Sequence, residues 1–507
     1  MKKKFFIIFF FICLPQIALS ADLKNYCNEI INQIVDEDIN KLKIKKITVD
    51  VDKNKEWTKN SLKILIGNFR WIPKRFKKRF GANVYVLYEN KLSCKFRGRV
   101  RNNGNQKDHI ALKDNSIIQS IDVHLENGHI HGVKKFKLLR PNTRGNYKDE
   151  ILLTEILREF NYLAPRTNFI DSKINDVESK MLFQEKPDVA MLNFNSRING
   201  PIFEGDERFM FRLVENIDDN QLSNLSMGML PLLENGVNAM LARQINSEWN
   251  NENINNFNTA HDSLTKLNIS YLLYTNSYKN KKNNFDYSSY SLNNKLLGLG
   301  NEKNILNLDV YNLIVFSANG WHGLGPNNRK FYWNSVKKYF EPINSDTNAN
   351  IMLNTTVFHM PYSYQIESAF DVLEKKLINI NIKKLSNNIS FRGIDLNEKE
   401  INHKLDKIKI NLKKLKNIYK KEDQSLIKYN RNDAIKDEMW SNYFDALYRI
   451  NPNIYVVKKS LKNNTYQRCK VKPFVCNVFK FDKKQLNKLI EGRLVIKGEE
   501  YQYLGVM

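Results

Sequence analysis

The chain has 507 residues, 42% of them hydrophobic and 11% aromatic, which is enough for two or three packed domains and too apolar for a disordered polymer. Lys and Arg number 80 against 54 Asp and Glu, a formal charge of +26. The lysines are dispersed rather than gathered into a stripe, so this excess argues against nucleic-acid binding and for attraction to anionic polymers of a cell envelope.

At the N-terminus "MKKK" precedes the apolar run "FFIIFFFICL", and "PQIALSA" places Ala18 and Ser20 where a signal peptidase wants small residues. The reading is a signal peptide over 1–20 and an exported protein of the periplasm, envelope or medium; a retained anchor is the alternative. No later run reaches eighteen apolar residues, so no transmembrane helix is expected after cleavage. Cys27, Cys94, Cys469 and Cys476 remain, permitting three pairings. Cys469 and Cys476 bracket "KVKPFV", a hairpin that suits a local disulfide and leaves Cys27 with Cys94; free buried thiols are the alternative.

Residues 22–45 repeat apolar positions at helical spacing (Leu23, Cys27, Ile30, Ile31, Ile34, Val35). Strand signals dominate from 46 to 140, with Asn127-Gly128 suited to a tight turn between "IIQSIDVHL" and "VKKFKLL". His124, His129 and His131 lie by this turn, where exposed hairpin histidines are expected rather than a metal site. "NYKDEILLTEILREF", 146–160, predicts a helix with Glu155 beside its buried face. A strand pair follows ("NFIDSKIND", "SKMLFQEKPDVAML"), then a helix over 231–246 opened by Pro231. Asn-rich stretches between 248 and 304 read as exposed loops or insertions. Beyond 366, Ile401, Leu405, Ile408, Leu412, Leu415 and Tyr419 form a heptad seam short enough to pack on its own chain. Residues 431–507 read as a small module of short strands ("NIYVVKK", "VFKFDKK", "RLVIKGEEYQYL").

The chemistry concentrates in "GLGPNNRKFYWN" and "YFEPINSD". A magnesium ion takes one or two oxygens from protein and the rest from phosphate and water. Asn328 precedes one strand and Asp346 follows the next, so two antiparallel strands would bring both to one end of a sheet. A lysine must then meet phosphate oxygens. "GVKKFKLLR" offers Lys134 on the face of Phe136 and Leu138, and Lys137 on the opposite face, with Glu155 as a helix-borne partner.

The succession "CKFRGRVRNNG", "KKFKLL", "DEILLTEILREFNYLAPRTNFIDSKIND", "MLFQE" and "HGLGPNNRKFYWN…FEPINSD" resembles the CotH kinase family, over roughly residues 90–350. The resemblance implies an atypical kinase fold and ATP-dependent phosphorylation of proteins outside the cytoplasm, with Mg2+ or Mn2+. It makes Lys134 or Lys137 the phosphate-binding lysine and Asn328 and Asp346 the metal ligands. It places Arg97 in the family's Arg-Gly strand and Glu185 at its strand-end acid. The chain departs from the family where an acid often precedes the Asn, reading "NGWHGLGPN", and where a second Asp is replaced by Asn348. His322 is the expected general base, since imidazole titrates near neutrality. The missing acid leaves open a pseudokinase, or an envelope protein that binds an anionic polysaccharide or a partner protein.

The expected fold is therefore α+β. A signal peptide (1–20) and an N-terminal helix with strands (21–89) precede a kinase-like core of mostly antiparallel sheet (90–365). A helical segment (366–430) and a β-rich C-terminal module (431–507) follow. ATP is the expected cofactor and an envelope or secreted protein the expected substrate.

Overall fold

The computed structural model describes residues 42–69, 71–209, 212, 236, 238–279, 292–354, 365–421, 437–460 and 465–506. The signal peptide, Cys27 and nearly all of the helix expected at 22–45 lie outside them. The fold is α+β.

Seven strands close into a barrel. They are β1 (Ile44–Val51), β2 (Phe80–Tyr88), β3 (Ser93–Asn102), β6 (Ile121–Leu125), β7 (Lys135–Leu139), β8 (Thr167–Ile174) and β9 (Val177–Glu185). A small hairpin of β4 (Ile110–Lys113) and β5 (Ser116–Gln119) lies between β3 and β6 in the chain. The order is β1-β2-β3-β6-β7-β9-β8, antiparallel except where β1 meets β8. Period-two alternation builds it: "FGANVYVLY" buries every second residue, and Val84, Val86, Phe96, Val123, Phe136 and Phe183 fill the interior. Each such side chain contributes roughly 1.5–3 kcal/mol. Charged residues between them are thereby turned outward. The boundary expected at 89/90 falls inside this barrel, because β2 and β3 pair across it.

Helix α1 (Asn54–Ile66) packs Trp57 edge-on against Phe80 at 5.3 Å. Helix α2 (Tyr147–Glu159) starts at Asn146, whose side chain accepts from the Lys148 and Asp149 amides. It buries Ile151, Leu152, Leu153, Ile156 and Leu157 against later helices. After the short α3 (Val189–Phe194), a second sheet has the order β11 (Ala242–Gln244), β10 (Ile202–Gly205), β12 (Lys330–Asn334), β13 (Tyr339–Ile343). Of the helix expected over 231–246, residues 231–235 and 237 lie outside the described residues; 236 and 238 are helical, and the end is strand β11 instead.

Most of the second Asn-rich stretch, "NKKNNFDYSSYSLNN", lies outside the described residues. The expectation of exposed loops is corrected for the first, where Ile254–Lys279 is a 26-residue helix, α4. Its asparagines depress helix propensity, but Phe257, Ala260, Leu264, Leu267 and Tyr271 bury one face, and packing overrides propensity. Helices α5 (Asn294–Leu297) and α6 (Glu302–Ser317) follow. Then come α7 (Ile366–Ile378), α8 (Ile382–Phe391) and α9 (Glu398–Lys421), the last carrying the heptad seam. Its residues Ile401, Leu405, Ile408, Leu412 and Leu415 pack into the core of α2 and α6, as expected.

The C-terminal region is a helix, α10 (Asp437–Ile450), and a sheet of order β16 (Val475–Val478), β15 (Tyr466–Lys470), β14 (Ile454–Lys459), β18 (Glu499–Val506), β17 (Val495–Ile496). Helix α11 (Lys483–Ile490) replaces the end of the expected strand "VFKFDKK". This region shares one core with α4 and the second sheet. Cys469 and Cys476 pair in register and form the expected disulfide; Cys94 is also disulfide-bonded. Among the described residues no helix is long and apolar enough to cross a membrane.

Candidate functional site

The outer face of β6 and β7 looks toward β10 and β12, and two loops close the space between them. The first runs from the end of α6 through a 3-10 turn (Trp321–Leu324) to Asn328. The second follows β13 and carries Asn344 to Asn348. β12 and β13 pair from Lys330↔Ile343 to Asn334↔Tyr339, so both loops emerge at the same end of the sheet.

Tight packing fixes them. A Cβ on Gly323 would lie 2.8 Å from the Ser345 carbonyl, and one on Gly205 would lie 2.3 Å from the Pro326 carbonyl. Only glycine lets the loops approach each other and lets β10 pass beneath the first. The Tyr271 hydroxyl donates to the Pro326 carbonyl at 2.8 Å, and buried Arg329 donates to Asn312 at 2.8 Å. The second loop is tied to the first turns of α2. Glu150 accepts from the Thr347 hydroxyl (2.8 Å) and the Ala349 amide (3.3 Å), Asp149 from the Ile351 amide (2.9 Å). Asp346 itself sits at φ +51°, a left-handed conformation that Asp tolerates better than most residues.

His322, Asn328 and Asp346 meet here. His322 Nε2 lies 3.0 Å from Asn328 Nδ2 and 4.0 Å from Asp346 Oδ2. The amide and the carboxylate are thus separated by no more than the sum of those distances. Asn328 Nδ2 also donates to the His322 carbonyl at 3.2 Å, which turns Oδ1 away from the imidazole. The Asp346 side chain keeps 38% of its surface and that of His322 43%. Both are therefore open to solvent, on the side where the barrel faces β10 and β12.

Lys137 faces the same cluster. Phe136 and Leu138 point into the barrel, so Lys137 points out, half-buried, and its charge acts on Asp346 together with that of Lys330. Burial, then the Lys330 ammonium, push Lys137 down to about 8; the Asp346 carboxylate acts in the opposite sense. Burial alone would raise the Asp346 carboxyl, but Arg144, His322, Lys137 and Lys330 hold it well below the usual carboxylate range. Lys330 pairs with Glu204 on β10, which Arg243 also holds. Burial opposes ionisation of Glu204, and these cations reverse it. Lys137 Nζ makes no ion pair or hydrogen bond among the described residues, so a desolvated ammonium stands among other cations.

The other expected site residues lie elsewhere. Lys134 precedes β7 and acts on Glu248, outside the cluster. Arg97 makes a half-exposed pair with Asp52 on the barrel surface (2.7 Å). Glu155 is buried against Arg158 and Arg392 (2.9 Å to the latter), so it holds no lysine. Glu185 is buried in a two-pronged pair with Arg166, Nε to Oε2 at 2.9 Å. His129 and His131 are buried rather than exposed; His131 stacks between Tyr88 and Phe391, and burial pushes it down to about 3.

Sequence reasoning missed Arg144, Lys330 and Glu204. Arg144 Nη1 lies 2.8 Å from Asp346 Oδ1 and leaves Oδ2 facing His322. Lys330 was readable as the charged residue at the head of the strand after Asn328, and Glu204 as the lone acid in "IFEG".

Among the described residues no group of three or more His, Cys, Asp and Glu side chains could hold a metal by itself. Asn328 Oδ1 and Asp346 Oδ2 are nevertheless two oxygen donors that accept no hydrogen bond among the described residues, Oδ2 lying 4.0 Å from His322 Nε2. That donor set fits Mg2+ or Mn2+, which completes its shell with phosphate and water, and does not fit zinc. No protein-family model and no curated protein matches this sequence.

Proposed function

We propose that this chain is an exported, ATP-dependent protein kinase of atypical, kinase-like fold that acts on envelope or secreted proteins. The observation that carries the reading is the unpaired, half-buried Lys137 ammonium facing the His322–Asn328–Asp346 cluster across a cleft between barrel and second sheet. A desolvated cation crowded by Lys330 gains most from an anion, and linked phosphates are the anions that also recruit a divalent metal. Asn328 and Asp346 would hold Mg2+ or Mn2+, which when bound offsets charge on the phosphate oxygens. Lys137 and Lys330 orient those oxygens. His322, half-exposed beside Asp346, would accept the proton of a Ser, Thr or Tyr hydroxyl entering from solvent at Nε2, which requires Nε2 to give up the hydrogen bond it accepts from Asn328 Nδ2. The cluster of basic groups in the cleft, rather than the dispersed net charge, selects the nucleotide.

The test is incorporation of label from γ-labelled ATP with Mg2+ into the chain itself and into an envelope protein extract. Incorporation that is lost in Asp346→Ala and Lys137→Met supports the reading; absence of transfer in the wild type, or equal transfer in Asp346→Ala, removes it.

One observation favours a second reading. The Arg144 guanidinium already occupies Asp346 Oδ1, as suits a cleft that binds an anion without turning it over. In that case the chain is a pseudokinase or a binder of anionic polysaccharide. Such an anion then raises the melting temperature without Mg2+, and no label is transferred.

A further inference from the structure

Beside Lys137 the barrel carries a second cationic group that the kinase reading above does not use. Asp122 on β6 is 1% exposed and receives three cations: Arg79 Nη2 at 2.8 Å, Lys186 Nζ at 2.8 Å and Arg101 Nη2 at 3.3 Å. One carboxylate cannot balance three charges, and about a third of each cation's side chain remains exposed. Arg101 Nε is buried with no hydrogen-bond partner among the described residues, so this guanidinium is held by Asp122 through Nη2 alone while part of it faces solvent.

Register places this group in line with Lys137. Arg101 pairs with Asp122, and Asp122 with Lys137, so the three side chains form one row on the barrel's outer face. Neighbouring strands lie about 4.8 Å apart, which sets Arg101 and Lys137 roughly 10 Å apart at the backbone. Lys186 bridges the interval: its ammonium bonds to Asp122 and its charge is felt at Lys137. Three linked phosphates match the length of such a row, and a single phosphate reaches both ends only if the two long side chains converge on it.

We infer that the cleft is a track for a chain of three linked phosphoryl groups, with one end at Lys137 beside Asp346 and the other at the Arg79–Arg101–Lys186 group. The inference rests on the reading of the cleft as a phosphate site and extends it, because it assigns the far end of the ligand to residues outside the His322 cluster. Lys137 then serves every phosphate ligand, and Arg101 serves only those long enough to reach it.

The experiment is calorimetry on the purified chain with orthophosphate, pyrophosphate and tripolyphosphate, at low salt and without metal. The expected result in the wild type is tripolyphosphate binding at least tenfold tighter than pyrophosphate. Arg101→Gln weakens tripolyphosphate by about tenfold, the size of a lost charge-assisted contact, and leaves pyrophosphate nearly unchanged. Arg79→Gln, in a different segment, serves as the second variant should the first fail to fold, and shows the same selectivity. Lys137→Met weakens both ligands. Equal effects of Arg101→Gln and Arg79→Gln on both ligands, or no effect on either, with Lys137→Met still weakening both, overturn the track and leave the phosphate site standing. If neither polyphosphate nor ATP binds the wild type, the underlying reading of the cleft fails, and the track with it.

Discussion

The protonation of Lys137 is the most quantitative handle on the cleft. Burial and the Lys330 ammonium bring it from its ordinary 10.5 to about 8, and each unit is 1.36 kcal/mol, so carrying the charge in the folded protein costs on the order of 3 kcal/mol. Between pH 8 and 10.5 the unfolded chain binds the proton more tightly than the folded one. Stability therefore rises with pH through that window, the reverse of a salt-bridged lysine. An anion held against Nζ restores the charge, so ligand binding takes up a proton. With a bound value near the ordinary one, uptake is about 0.1 proton at pH 7 and about 0.9 at pH 9. Calorimetry of tripolyphosphate binding at both pH values, in buffers of different ionisation enthalpy, reads this directly. Tripolyphosphate itself exchanges its last proton in the same range, so the Lys137 share is the difference in uptake between the wild type and Lys137→Met. Lys137→Met lacks that share and is itself more stable than the wild type at pH 7. An uptake at pH 9 that is the same in the wild type and in Lys137→Met would refute the assignment of Lys137 as the phosphate-facing cation.

Asp346→Ala removes the metal-dependent part of nucleotide binding: the melting temperature rises with Mg-ATP in the wild type and rises equally with or without Mg2+ in the variant. Gly205→Ala drives a Cβ to 2.3 Å from the Pro326 carbonyl. It costs about 1–3 kcal/mol by overpacking and lowers label transfer further, because the displaced loop carries Asn328; urea unfolding and the transfer assay separate the two effects. Glu155→Gln strands Arg392 and destabilises by about 3–5 kcal/mol, while tripolyphosphate affinity stays at the wild-type value. Burial opposes the Glu155 charge, but Arg158 and Arg392 hold the carboxyl at about 2 against an ordinary 4.5. Its contribution is complete above pH 4.5 and fades as pH falls toward 2; acid titration of stability in wild type and Glu155→Gln tests that slope.

The convergence of Asn328 and Asp346 was readable because polar residues flanking a strand pair must return to one end of the sheet. Strand alternation also separated Lys134 from Lys137. It could not choose between them, since the choice depends on which face the closed barrel turns to the cleft, and closure is set by β1 meeting β8 far along the chain. Glu155 failed as a lysine partner for the same kind of reason: its true partner, Arg392, lies 237 residues away. Arg144 left little local signal, because it acquires its role only when the segment before α2 is packed beside the second loop. Helix α4 was hidden by its asparagines, whose low propensity a buried aromatic face outweighs.

The most direct measurement is a crystal of the chain with Mn2+ and a non-hydrolysable ATP analogue, read by anomalous scattering. The account predicts a manganese peak within coordination distance of Asn328 Oδ1 and Asp346 Oδ2, with a phosphate oxygen against Lys137 Nζ. A manganese peak elsewhere, or a nucleotide seated away from the barrel's outer face, would contradict it.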